Sequence, residues 1–332
     1  MPVDVHAHYV PTQILEVLRD KGGDYGASVL DGAAACPCLK FDHGLQARPF
    51  FARLLEEESR RVAMLDGIGI DRQVLSLWAD IFGYGMPADK SRAWHRLLND
   101  SLAATAARHP DRFSWFASGP LPDAAAAARE LERAVRGLGA AGGIVAANVE
   151  GENLGNLRLD EYWAAAEELN VPVFIHPAQP EPLPRTRCFA LNPIVQYVFD
   201  TTLTVGSLIF SGVLDRFPQL VIVISHGGGA LPYLIGRFDC MHERMDRADQ
   251  GNVAQAAPSS YLRRFYYDSI LHDAAALRYL AAKVDTDRIV LGSDDPFPPM
   301  DKDPLASLKQ AGFNAQEVAR IADENPRRLL RL

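Results

Sequence analysis

Four histidines and an aspartate, His6, His8, His176, His226 and Asp294, are the residues whose types and placement could do chemistry together. Each stands at or just beyond the end of a short apolar run: VDVHAH at 3–8, VPVFIHP at 171–177, LVIVISHGGG at 220–229 and RIVLGSDDPF at 288–297. Imidazole nitrogens and carboxylate oxygens suit a divalent metal, and a site with an open coordination position is catalytic rather than structural. A single histidine on an apolar strand is more often a hydrogen-bonded core residue. Five matched groups at the ends of such runs point instead to one divalent cation, zinc foremost, with manganese, iron or cobalt as alternatives. The residues alone do not separate ligand from acid or base.

The elements that must position these groups follow from the hydrophobic pattern. Strands are expected at 3–8, 72–78, 113–118, 143–149, 171–176, 220–225, 265–268 and 289–293. Helical periodicity lies between and after them, at about 51–66, 88–108, 123–137, 160–169, 193–216, 229–244, 273–283 and 303–322. Eight strands, each followed by a helix, predict a single (β/α)8 TIM barrel over residues 1–332, and near-continuous apolar strands fit a parallel sheet covered on both faces. On strand 1, His6 and His8 are two apart and so share a face. The other three groups fall at the C-terminal ends of strands 5, 6 and 8, the end where barrel enzymes build their sites. Two long loops are expected over that mouth: an insertion at 20–50 after strand 1, and 177–190 with Pro180, Pro182 and Pro184.

Composition narrows the function class. The 332 residues are 48% hydrophobic and carry a formal net charge of -8, so the chain buries a large core and lacks the clustered cation that nucleic acid or an anionic membrane attracts. The N-terminus has no basic segment followed by an apolar one, and no run of about 18 apolar residues occurs; a cytoplasmic protein is expected. Four cysteines without a repeated C-x-x-C spacing read as reduced, buried thiols. His43, His95, His109, His242 and His272 are expected to be ordinary surface residues. None of the six lysines ends a strand, so a carboxylated lysine bridging two metals is not available, which favours one metal.

The motifs D-x-H-x-H at Asp4–His8, F-I-H-P at 174–177, S-H-G-G-G-A-x-P at 225–232 and G-S-D-x-P-F at 292–297 stand in order, with GSLIFSGVLDRFPQL at 206–220, IGRFD at 235–239 and ENPRRLL at 324–330. This text resembles the amidohydrolase superfamily, in the branch typified by aminocarboxymuconate semialdehyde decarboxylase. The resemblance implies that His6, His8, His176 and Asp294 bind zinc and that His226 is a general acid/base. It also implies that Arg48 grips a substrate carboxylate and that Arg244, beside Arg237 and Arg247, reaches across a homodimer. Trp78, Phe297 and Phe189 are candidate walls for a planar ring. Gln179 and Asp295 replace the usual aromatics and imply a more polar mouth. The implied activity is nonoxidative decarboxylation of a small unsaturated or aromatic carboxylic acid, of the aminocarboxymuconate semialdehyde or hydroxybenzoate kind. The alternatives are a metal-dependent hydrolase of a lactone, amide or ring-cleavage product, and a metal-free barrel that only binds an acid.

Overall fold

The protein is described from a computed structural model over residues 1–31, 36–178, 182–244 and 251–332. Eight parallel strands form one sheet: β1 (Val3–His8), β2 (Arg72–Ser76), β3 (Phe113–Ala117), β4 (Gly142–Ala146), β5 (Val173–His176), β6 (Ile222–Ile224), β7 (Phe265–Asp268) and β8 (Ile289–Val290). Each neighbours the next in chain order. The last returns to the first through Val5 N–H to Leu291 O at 2.9 Å and a bridge between Ala7 and Asp295, so the sheet closes into the expected (β/α)8 barrel.

Burial explains why the strands are apolar throughout. Val5, Val74, Phe116, Ile144, Phe174, Val223 and Tyr267 have no solvent exposure, because helices cover the outer face and side chains fill the inside. Burying each such side chain contributes about 1.5–3 kcal/mol. Several strands end earlier than the apolar runs do. The shortest, β8, stops at Val290, since the chain must turn at Gly292, where a Cβ would lie 3.0 Å from His6 Cβ and 3.1 Å from Asp268 Cβ. Glycine lets the closing segment pass between those two strands without displacing either side chain.

Other expectations are corrected. A helix at Thr12–Tyr25, absent from the pattern reading, follows β1 directly and buries Ile14, Leu15 and Leu18. Gly22 and Gly23 near its end disguise it as loop. The insertion after it holds an antiparallel hairpin, Ala27–Leu30 with Cys38–Phe41. The run 303–322 is broken: Pro304–Gln310 and Ala315–Ala319 are separate helices around Gly312, which has φ 77°. By length and composition, Asn192–Phe210 could cross a membrane, but it includes Asp200 and is half buried inside the protein. The four cysteines are unpaired, and of these only Cys38 is buried.

His43 and His272 are exposed as expected, but His95 and His242 are not surface residues. His242 meets Asn252 Nδ2 at 3.0 Å. His95 is fully buried among Phe82 and Tyr84, with Nδ1 2.8 Å from Ser118 Oγ. Burial disfavours its imidazolium and pushes its pKa down to about 3, from 6.5. The unfolded chain therefore binds a proton that the folded chain refuses, and stability falls as pH drops from about 6.5 toward 3. The slope from this group is at most about 1.4 kcal/mol per pH unit. Urea denaturation between pH 4 and 7 is expected to show a shallower decline for His95→Gln than for the parent chain; parallel declines would refute the assignment.

Candidate active site

Histidines 6 and 8 point into the mouth from β1, their Nε2 atoms 3.1 Å apart. Each is oriented by an oxygen acceptor at Nδ1, which must carry the proton. His6 Nδ1 donates to Asp268 Oδ2 at 2.6 Å, and His8 Nδ1 to Leu77 O at 3.4 Å. At the end of β5, His176 Nδ1 donates to Pro177 O at 2.8 Å. Three Nε2 lone pairs are thereby turned inward, the orientation that metal-binding histidines acquire from their outer partners. Asp294, beyond β8, places Oδ1 3.3 Å from His6 Nε2 and 3.4 Å from His8 Nε2. His176 Nε2 and Asp294 Oδ1 are buried without a hydrogen-bond partner among the described residues.

Such a set fits a cation. Four ligands about 2.1 Å from a tetrahedral ion stand about 3.4 Å from one another; the separations among His6, His8 and Asp294, 3.1–3.4 Å, match that, and His176 lies within 4.8 Å of His6 and Asp294. His226 belongs to the same group: one donor atom each from His6, His176, His226 and Asp294 lie within 4.8 Å of one another, and His226 Nε2 is 3.6 Å from Asp294 Oδ2. His226 follows β6 in a turn with φ 53°, and its own N–H and that of Gly227 donate to Asp268 at 2.8 Å. The following glycines are required. A Cβ on Gly229, at φ 64°, would meet Val198 O at 2.4 Å.

Without a cation the cluster is strongly coupled. Burial would lower His6, but Asp294 and Asp268 outweigh it and raise the imidazole to about 10. His176 is driven well below 6.5, first by burial and then by His8, His6 and His226. Burial would raise Asp294, yet His6, His226 and His8 hold it well below 3.8. Asp294 is thus already anionic and His176 neutral, as a cation needs, whereas His6 carries a second proton that a bound cation would displace from Nε2.

The amidohydrolase family model matches residues 3–332. This chain belongs to the amidohydrolase family. The chain is 31% identical over 299 residues to the 2-amino-3-carboxymuconate-6-semialdehyde decarboxylase of Dictyostelium discoideum, across 90% of this chain and 82% of that one. It is 31% identical over 306 residues to the gamma-resorcylate decarboxylase of Rhizobium radiobacter, across 84% of this chain and 89% of that one. A solved dihydroxybenzoic acid decarboxylase from Polaromonas, with bound manganese and the inhibitor 2-nitroresorcinol, shares the fold at a TM-score of 0.80 and 24% identity, covering 100% of this chain and 97% of that one.

Around the cluster, this amidohydrolase distributes the other expected residues unevenly. Arg48 Nη2 bonds Asp80 Oδ2 and Tyr197 Oη, both at 2.8 Å, and the guanidinium lies over the Trp78 ring, 5.3 Å from its centroid. Its Nε is buried and unpartnered among the described residues. Trp78 and Phe297 are buried 6.0 Å apart, with Phe297 4.8 Å from His8. Phe189 is 89% exposed and forms no wall. Arg244 is the exposed last residue of the helix Leu231–Arg244, with no ion pair among the described residues, and Arg237 on the same helix is likewise exposed. Gln179 and Arg247 lie outside the described residues.

Asp295 does not make the mouth polar. It is buried and turned backward, paired with Arg53 at 2.6 Å and Arg61 at 2.8 Å. Sequence reasoning missed Asp268, although a carboxylate ending the run FYYD was the available signal. It also gave no role to Asp4, which takes Ser293 Oγ at 2.6 Å and Gln73 Nε2 at 2.7 Å and so ties β1 to the segment carrying Asp294. Asp268→Asn keeps the shape but weakens the grip on the His6 tautomer. Metal affinity by competition with a chelator is expected to fall roughly 10- to 100-fold; unchanged affinity would remove Asp268 from the site.

Proposed function

We propose that this chain is a metal-dependent nonoxidative decarboxylase of an aromatic or unsaturated carboxylic acid. The observation that carries the reading is the convergence of inward Nε2 atoms and the Asp294 carboxylate at the barrel mouth. His6, His8, His176 and Asp294 are the proposed ligands of one divalent metal, zinc by donor type, and manganese is supported by its presence in the Polaromonas relative. Held by those four residues, a divalent cation would supply positive charge to the substrate's carboxylate or phenolate and would acidify a nearby water, toward about pKa 7 in the best zinc cases.

The chain's own residues then have separable tasks. Arg48 retains donors for a carboxylate, and the Trp78 and Phe297 rings form an apolar wall against which a planar ring packs. Loss of CO2 requires the carboxylate to stand perpendicular to the conjugated plane, so that the breaking C–C bond overlaps the π system. The electron pair of that bond stays on the ring carbon, which must gain a proton. The His226–Asp294 pair, 3.6 Å apart, is placed to deliver it, and the His226 side chain, 15% exposed, can recover one from water.

A homodimer is part of the proposal. The exposed apolar side chains Ile194, Phe199, Leu203 and Tyr233 support one, with Arg244 as the residue offered to the neighbouring site.

Purified, metal-loaded protein is expected to release CO2 from hydroxybenzoates. Hydrolysis of a lactone or amide with no CO2 would replace this reading with the hydrolase. His226→Asn is expected to lower kcat roughly a hundred- to ten-thousandfold while metal stoichiometry stays at one; loss of the metal would make His226 a ligand instead. Arg48→Ala is expected to cost about 1.5–3 kcal/mol of substrate binding, seen in KM.

A further inference from the structure

Beside the metal cluster a cleft of 590 Å³ opens between residues 43–45, 79–85 and 148–151. That is the size of a small-molecule site. Its inner end adjoins the centre: Ala146 pairs in register with His176, Ala178 is two residues beyond it, and Asp80 holds Arg48. A ligand whose carboxylate meets Arg48 thus has this chamber beside it. The small side chains of Ala79, Ala146 and Ala178 leave its inner part open.

The chamber's polar side chains are His43, Tyr84, Asn148 and two carboxylates, of which Glu150 is exposed. Asp80 and Glu150 line it, and no lysine or arginine does among the described residues. Tyr84 Oη accepts from Ala146 N–H at 3.2 Å and donates to no described residue. Glu150 occupies a turn with φ 51°, followed by Gly151 at φ 87°, between the hairpin strands Asn148–Val149 and Glu152–Asn153. Asparagine or glycine suits that conformation, and a glutamate there costs strain of the kind that persists at functional positions. Its carboxylate is admitted by a missing side chain. A Cβ on Gly85 would lie 2.7 Å from Glu150 Oε1 and 2.8 Å from His43 Cδ2.

We infer that this chamber is a substituent subsite which selects aromatic monocarboxylic acids bearing a hydrogen-bond-donating hydroxyl or amino group and rejects a second carboxylate, with Glu150 as the selecting residue. The inference rests on the decarboxylase reading. A hydroxyl or ammonium donates to Glu150, whereas a second carboxylate would face Asp80 and Glu150 with the Arg48 charge already engaged by the first.

The test uses metal-loaded protein and two series: hydroxy- and aminobenzoates, and the same rings carrying a second carboxylate. CO2 release gives kcat/KM, and calorimetry with the matching nitro compounds, nitro standing for the leaving carboxylate, gives Kd. The parent protein is expected to prefer the monocarboxylic series by at least about tenfold in both readouts. Glu150→Gln is expected to shrink that preference about fivefold, and Gly85→Ala, whose methyl displaces the Glu150 carboxylate, to shrink it too, with thermal unfolding verifying that both variants fold. Parity in the parent protein, or a preference that neither substitution moves, overturns the subsite. Absence of CO2 from every compound overturns the decarboxylase reading alone, and the binding constants then still decide the chamber.

Discussion

A single buried carboxylate, Asp268, holds the site in shape. It ends β7 with no solvent exposure and receives His6 Nδ1 at 2.6 Å, the backbone N–H groups of His226 and Gly227 at 2.8 Å, and that of Ile270 at 3.1 Å. Four donors offset the desolvation of one anion, and His6 leads the effects that keep its pKa low despite burial. Three barrel positions are thereby coupled. The tautomer of His6, the turn that presents His226 and the end of β7 cannot shift independently. His6, a proposed metal ligand, and the neighbouring acid/base candidate are therefore preorganised by the same carboxylate.

The strain in the site follows from that coupling. His226 and Asp294 both adopt left-handed backbone conformations, at φ 53° and 61°, which non-glycine residues seldom take. Each is fixed from outside: His226 by its N–H to Asp268, Asp294 by its N–H to His6 O at 2.8 Å and by the Asp4–Ser293 bonds next to it. The sharp turns aim both side chains at one point over the barrel axis.

What the sequence made legible was whatever repeats along a strand. β1 and β7 match their expected bounds, and His6, His8 and His176 fall where period and apolar runs place them. Residues acting through a distant partner were not legible. Asp295 looks like a mouth residue because it adjoins Asp294, yet its direction is set by Arg53 and Arg61, from the far side of the insertion. His95 sits in a helix whose pattern looks polar at that point, but the Ser118 hydroxyl and two aromatic rings take it into the core. The helix Thr12–Tyr25 was hidden by its terminal glycines, which local propensity reads as loop and tertiary packing overrides.

Substrate choice can be located by the same reasoning. Barrel enzymes keep the reacting centre on strand ends and vary the loops around it. Here the Phe297 side of the mouth is a packed aromatic wall, with Phe51 5.6 Å and Trp78 6.0 Å from it, and Asp295 beneath it is sealed by arginines. The neighbouring cleft is lined in part by small residues and carries Asp80, Tyr84 and Glu150. In the proposed binding mode, with the carboxylate on Arg48 and one ring face on Phe297, the cleft beside Asp80 is the space for the remaining ring positions. The proposed selectivity thus falls to the 148–151 hairpin, an element apart from the strand ends that carry the histidine cluster and able to change while the chemistry stays.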